Sequence, residues 1–317
     1  MYIAALDIGG TKTIAALVSW DGQVIDRETW PTCLRDSYEN LALCVAALKR
    51  LMEKHGVTQE SLAGIGVTLP GIVDRQSGTL LYAPFSKWEN VAAAEYLRRE
   101  TGIQRVECEN DVNACAVGEL TYGLGKTYSD FVWMTVSTGV GGAVVADGRL
   151  LRGADGFAGE LGHLKVEYDH PALCPCGQWG CLEAHGSGTA LNRLTRERQE
   201  SDRDFAAALA AIGAEKPDGK ACAMLAARDN AAAKEIFETV GMYLGRGIAY
   251  CVNILNPQAI VIGGGVSASL DHLMPGIEKA LEAGAFRKME RPRIVATPLG
   301  YEAALIGAAA LIRQEQE

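Results

Sequence analysis

The chain has 317 residues, 48% of them hydrophobic and 22% charged, with a formal net charge of −9. That length exceeds one ordinary core and predicts a two-domain enzyme, while the acidic balance argues against nucleic acid or an anionic membrane as the main partner, because no basic stripe can neutralise phosphates. Six of the nine cysteines are scattered without framework spacing, and the N-terminus has no basic region before Asp7, so the expectation is a cytoplasmic protein without a signal peptide.

Residues 2–6 predict a strand, 7–13 a turn and 14–20 a second strand, which reaches the hairpin signal Asp21-Gly22 before a third. In the turn an acid at the strand end, Asp7, precedes Gly9, Gly10 and Thr11, whose backbone amides and hydroxyl can approach a phosphate with no side chain between them. A glycine hairpin with no phosphate is the plainer alternative. Next comes an amphipathic helix with Leu41, Cys44, Val45, Leu48, Leu51 and Met52 on one face, Ser37 to cap its start and Gly56 its end. A strand over 65–68 leads into 69–74, a helix over 91–99 ends at Gly102, and a strand over 106–109 delivers Asn110-Asp111 to the start of a helix over 112–122. Polar residues at the carboxyl end of a strand are where open α/β folds place their sites. An acid there also serves as a helix N-cap, so both roles stand open for Asp111.

The opening layout then repeats: strand over 131–136, turn Ser137-Thr-Gly-Val-Gly-Gly, strand over 143–146 and the hairpin signal Asp147-Gly148. This predicts a duplicated domain whose two glycine loops face each other across a cleft and grip one polyphosphate. The stretch 159–183 is different in kind. It reads Gly-Glu-Leu-Gly-His and, eleven residues on, Cys-Pro-Cys-Gly-Gln-Trp-Gly-Cys-Leu-Glu. Cys174, Cys176 and Cys181 with one imidazole complete the tetrahedral set that Zn²⁺ prefers, and four protein ligands make the metal structural. Spacing alone leaves His163 and His170 both open as the fourth ligand, and three reduced cysteines in a turn is the bland alternative.

Helices are expected over 188–198, 205–212, 221–227 and 231–254, the last with Ile236, Val240, Tyr243, Leu244 and Ile248 at packing positions. The uncharged run 247–270 is long enough for a membrane span but is broken by Asn253, Asn256, Pro257 and Gly263-Gly264-Gly265. It reads instead as a helix end, a turn, a strand over 259–262 and a glycine loop against which a base or ribose could lie. A strand over 294–297 and a helix over 302–313 close the chain.

Taken together, these motifs resemble the ROK family of sugar kinases and sugar-responsive repressors, within the actin and hexokinase superfamily. The likeness covers essentially the whole chain. Asp7-x-Gly-Gly-Thr-Lys matches the first phosphate motif, Ser137-Thr-Gly-Val-Gly-Gly the second, Gly263-Gly-Gly the adenosine motif, and Glu160-x-x-His163 with Cys-x-Cys-Gly-x-x-Gly-Cys-x-Glu183 the zinc and sugar segment. The resemblance implies an α/β fold of two duplicated actin-like (ribonuclease H-like) domains around a central cleft with a small zinc-binding loop at 159–183. The first would cover 1–114, completed by a C-terminal helix over 302–317, and the second 115–301.

The resemblance also implies chemistry. His163 becomes the zinc ligand with Cys174, Cys176 and Cys181, and Gly71, Asn110, Asp111, Glu160, His163 and Glu183 would hold the sugar, carboxylates accepting strongly from hydroxyls. Asp7, Gly9, Gly10, Thr11, Lys12, Thr138, Gly139, Gly264 and Gly265 form the nucleotide set, with Asp7 near Mg²⁺ and no contact assigned to Lys12. Asp111 would be the general base in transfer of the γ-phosphate of MgATP to a hexose hydroxyl, usually the 6-hydroxyl. The implied activity is glucokinase-like; phosphorylation of N-acetylmannosamine or another N-acetylhexosamine, fructose or allose is the alternative, and a sugar-binding regulator without kinase activity the rival class. Asp7 stands almost at the N-terminus, so no DNA-binding domain is expected before it. The expected partners are the sugar, ATP and a second copy in a homodimer. One departure concerns specificity: where many family kinases carry Asn after the proline ahead of the pocket tryptophan, this chain reads Ala83-Pro84-Phe85-Ser86-Lys87-Trp88.

Overall fold

The computed structural model describes residues 1–84 and 86–314. Phe85, the departure noted above, lies outside the described residues. The chain begins β1 (Tyr2–Ile8), β2 (Lys12–Ser19), β3 (Val24–Pro31), α1 (Ser37–His55) and β4 (Leu62–Leu69). A small meander of β5 (Ile72–Asp74), β6 (Thr79–Ala83) and β7 (Trp88–Val91) precedes α2 (Ala93–Thr101), β8 (Val106–Asn110) and α3 (Asp111–Tyr122). The second hairpin is β9 (Phe131–Val136) with β10 (Val140–Ala146), followed by the short β11 (Arg149–Leu151). Helices α4 (Leu182–Gly186), α5 (Gly188–Ser201), α6 (Arg203–Ala211), α7 (Gly219–Ala226) and α8 (Ala231–Leu255) lead to β12 (Ala259–Gly263), α9 (Leu270–Gly284), β13 (Arg293–Ala296) and α10 (Ala303–Arg313). No helix among the described residues is long and apolar enough to cross a membrane.

These elements form two compact units: Met1–Ser129 with Asp147–Ala158 and the chain from Thr297 on, and Asp130–Ala146 with Gly159–Ala296. The duplication is visible in topology, because β2-β1-β4-β8 in the first unit and β10-β9-β12-β13 in the second share one strand order. In each, an antiparallel hairpin is extended by two parallel strands, and parallel neighbours require long crossover connections, here helical. The division falls after Ser129 and not after residue 114, which would cut α3.

Alternation along β1 explains how the first sheet is covered on both faces. Ala4, Leu6 and Ile8 join Leu41, Cys44, Leu48 and Leu51 of α1 in one core, while Ile3 and Ala5 join Leu305, Ala308, Ala309 and Ile312 of α10 in another. Trp88, expected in the pocket, is buried in the first of these cores and donates its indole N–H to the Leu34 carbonyl at 3.0 Å.

Packing of α10 on β4 is so close that a Cβ at Gly66 would lie 1.7 Å from the Ala308 carbonyl oxygen. Backbone cannot move aside as a side-chain tip can, so Gly66→Ala is expected to cost about 3 kcal/mol or more. A soluble variant melting within a few degrees of the parent would show that α10 shifts easily.

Local signals were displaced in two places. The cap of α1 is Asp36, whose carboxylate accepts from the Tyr38 and Glu39 amides, and not Ser37, which is already helical. Val91 ends β7, so α2 starts later than periodicity suggested. In α3, Glu119 is fully buried; Thr297 Oγ1 donates to its Oε2 at 2.7 Å and the Leu124 amide to its Oε1 at 2.9 Å. Burial raises its pKa above 4.5 despite those two bonds. Because the folded-state pKa is the higher one, the stability it contributes is present below the unfolded value and lost as pH rises through the folded value. Glu119→Gln is therefore expected to gain in melting temperature relative to the parent as pH rises above 4.5. A difference that stays constant from about pH 4 to 8 would exclude a titrating Glu119.

Candidate functional site

In the first unit, Asp7 sits near the end of β1, and Thr68 of neighbouring β4 donates its hydroxyl to Asp7 Oδ1 at 2.8 Å. Burial pushes the Asp7 carboxyl above its ordinary range, against the opposing pull of Thr68 and the Lys12 charge. The glycine turn is internally tied: the Gly9 amide donates to the Lys12 carbonyl at 3.0 Å and Thr32 donates its hydroxyl to the Gly9 carbonyl at 2.7 Å. The Gly9 amide is thus committed to the turn, which leaves Gly10 and the exposed Thr11 as its phosphate-facing candidates. Lys12 is the exposed first residue of β2.

At the other strand end, Asn110 and not Asp111 caps α3. Its Oδ1 accepts from the Val112 amide at 2.9 Å and the Asn113 amide at 3.2 Å, and its Nδ2 donates to the Gly71 carbonyl at 3.0 Å. The second Nδ2 hydrogen has no acceptor among the described residues and is free to meet a ligand. The bond also fixes Gly71, whose φ of +127° is a backbone state few side chains tolerate. Asp111 opens the helix, where the peptide dipoles favour a carboxylate.

In the second unit, the ligand atoms of His163, Cys174, Cys176 and Cys181 all lie within 4.8 Å of one another. Cys176 Sγ and Cys181 Sγ are 3.8 Å apart, and Cys174 Sγ is 3.9 Å from His163 Nδ1. A zinc tetrahedron with 2.3 Å Zn–S bonds has edges of about 3.8 Å, so the donor set and its spacing both fit. His170 is exposed, outside the cluster, with its amide on Glu167 Oε1 at 3.2 Å. Burial pushes the Cys174 thiol up to about 12, a penalty that a cation among the sulfurs would reverse. Lys165, which the sequence did not single out, brings its Nζ to 3.3 Å from Cys181 Sγ. Three thiolates around a dication would leave one negative charge, and Lys165 stands where it would offset it.

With Nδ1 toward the Cys174 sulfur, His163 keeps Nε2 for other work, and Glu160 Oε2 lies 3.8 Å from it, beyond hydrogen-bond reach. Glu183 is held more firmly. The Val140 amide donates to its Oε2 at 3.0 Å, while its Oε1 lies 3.7 Å from Cys174 Sγ. A Cβ at Gly139 would lie 2.2 Å from Glu183 Oε2, so the second glycine turn is small there to admit this carboxylate. Thr138 is anchored too, its carbonyl accepting from Thr189 Oγ1 at 2.7 Å. A Cβ at Gly264 would lie 2.5 Å from the Val136 carbonyl, which places Gly264-Gly265 beside the strand end that starts that same turn. One unit thus gathers the second glycine turn, the glycine loop after β12 and the cysteine loop with Glu183.

Two duplicated α/β sheets with glycine turns after their first strands, joined to a Cys₃His loop, define a class: the chain belongs to the ROK family, whose profile matches residues 3–315. Within it, the chain is 34% identical to the glucokinase of Thermotoga maritima, over 99% of this chain and 98% of that one. Among solved structures it is similar to a ROK glucokinase from Streptomyces griseus in complex with glucose and AMPPNP, at 31% identity and TM-score 0.83, over 99% and 100% of the two chains. It is also 29% identical to the xylose repressor of Caldicellulosiruptor bescii, over 98% of this chain and 77% of the repressor.

Proposed function

We propose that the chain is an ATP-dependent hexose kinase of glucokinase type that transfers the γ-phosphate of MgATP to the sugar 6-hydroxyl. The observation that carries this reading is the β8–α3 junction: capping falls to Asn110, so the helix does not need the Asp111 carboxylate for that role. Full-length likeness to glucokinases supports glucose as first candidate, with N-acetylmannosamine second.

In the proposed reaction the sugar oxygen forms a bond to the γ-phosphorus, Asp111 takes the hydroxyl proton, and the β–γ bridging oxygen leaves with ADP. Asn110, Gly71, Glu160, His163 and Glu183 would orient the sugar, and Gly10, Thr11, Thr138 and Gly139 would receive phosphate oxygens, with Gly264 and Gly265 along the adenosine. Asp7, a hard oxygen donor with one oxygen steadied by Thr68, suits Mg²⁺, which binds one or two carboxylates together with substrate phosphates. Zinc, when bound, would act by holding His163 and the flanking carboxylates. By family likeness the protein is proposed to work in the cytoplasm as a homodimer.

The test is turnover with MgATP over glucose, mannose, fructose, allose and the N-acetylhexosamines, reporting kcat/KM for each. Glucose is expected to lead. Tight sugar binding without phosphoryl transfer to any of them would replace the kinase with a sugar-binding regulator, a reading that the repressor relatives keep in view.

A further inference from the structure

We propose that Glu109 and Arg152 are a positioning pair that sets the Asn110-Asp111 corner. The inference rests on the kinase reading above. Glu109 belongs to β8 and is 4% exposed. Its Oε1 accepts from the Asn110 amide at 3.0 Å and from Asn113 Nδ2 at 3.3 Å, and its Oε2 accepts from Arg152 Nε at 3.0 Å. One buried carboxylate therefore ties the residue before Asp111 to a residue in the first turn of α3. Asp111 lies between those two fixed points.

Stability alone gives a poor account of the pair. Burying the Glu109 charge against a half-buried Arg152 is costly, and an apolar pair of similar volume is often as stable or more so. Arg152 does not use the two-bond fork that strengthens arginine–carboxylate pairs: Nε bonds Glu109, and Nη2 is buried with no hydrogen-bond partner among the described residues. What an apolar pair lacks is the ability to hold the Asn110 amide and the Asn113 side chain together. Arg152 is itself fixed, since its carbonyl accepts from the Ala158 amide at 3.0 Å and closes the loop that runs on to Glu160.

Neither residue touches the reacting atoms in this proposal; both act through Asp111. The experiment compares the parent with Arg152→Met, Arg152→Lys, Glu109→Gln and the Glu109→Gln/Arg152→Met double variant, measuring kcat, both KM values and melting. Arg152→Met is expected to lower kcat about 10- to 100-fold, the scale of a small misplacement of a reacting group. KM for ATP should stay within about twofold, because the hydrogen bonds of the two side chains go to Asn110, Asn113 and each other and not to the nucleotide set. Arg152→Lys should recover most of the loss, and the double variant should exceed Arg152→Met in kcat, since no unpaired buried carboxylate is left.

A folded Arg152→Met with kcat within twofold of the parent overturns the proposal, as does a loss of activity that merely tracks the unfolded fraction. Should Arg152→Met not fold, Arg152→Lys and Glu109→Gln decide, and parent-like kcat in both overturns it. If the parent phosphorylates no sugar, the kinase reading fails first. The pair is then read by amide exchange at Val112 and Asn113, where faster exchange in folded Arg152→Lys or Glu109→Gln sustains the placement and unchanged exchange removes it.

Discussion

Asp111→Asn is expected to lower kcat by about 10²- to 10⁴-fold, the range over which a positioned general base contributes. The substitution keeps shape and removes the negative charge, and with it the ability to take a proton at neutral pH. Helix α3 should tolerate it, because Asn110 supplies the cap and the Val112 amide, 3.0 Å from Asp111 Oδ1, can bond the oxygen of asparagine equally well. The lost interaction of charge with the helix start amounts to about 0.3–1 kcal/mol, so melting should shift by only a few degrees. Sugar affinity, read by calorimetry, should change far less than kcat. A well-folded Asp111→Asn enzyme with kcat within about tenfold of the parent would remove Asp111 from the base role, since that loss is below the span of general-base catalysis.

The second large effect concerns the cysteine loop. One zinc per chain is expected by elemental analysis, and Cys176→Ser should lose it. Cys176 is the exposed sulfur of the set, so its replacement perturbs ligation with little disturbance of the core. Without the metal, His163 Nδ1 and Cys174 Sγ have no common partner to hold them 3.9 Å apart. A displacement of about 1 Å at His163 or Glu183 is enough to cost about 10²-fold in kcat/KM. The loss should appear chiefly in the sugar KM, together with faster proteolysis of the loop. Full activity in protein containing clearly less than one zinc per chain would refute a closed structural site.

How much of this was legible beforehand followed from the range of the signal. Both glycine turns, the Asp-Gly hairpins and the long helices α1 and α8 are written in local spacing, and the repeated strand order follows from the repeated motif. The fourth residue of the cysteine cluster was different: spacing leaves His163 and His170 both open, the family resemblance implies His163, and it is His163 that falls within 4.8 Å of the three sulfurs. The unit boundary was misplaced because nothing within α3 reveals its partner. That partner is α10, far along the chain, and a Cβ at Gly118 would lie 2.9 Å from Gly307 Cα. The acid Asp111 was the cap that the sequence suggested for α3, whereas Asn110 takes that place, a choice made by side-chain direction. Glu109 was invisible as a functional residue because Val106, Glu107, Cys108 and Glu109 alternate as a strand with one wet face would. Its partner is Arg152, whose loop arrives from a later part of the chain.

The bond from the Val140 amide to Glu183 has a consequence for inheritance and for engineering. The carboxylate that closes the cysteine loop is also the brace of the second glycine turn, and Gly139 is shaped to receive it. Segments 137–142 and 159–183 are therefore expected to be exchangeable only together. Descendants that discard the three thiolates should show compensating change in the glycine turn, and a chimaera that exchanges only one of the two segments between distant relatives should bind its nucleotide poorly as well as its sugar.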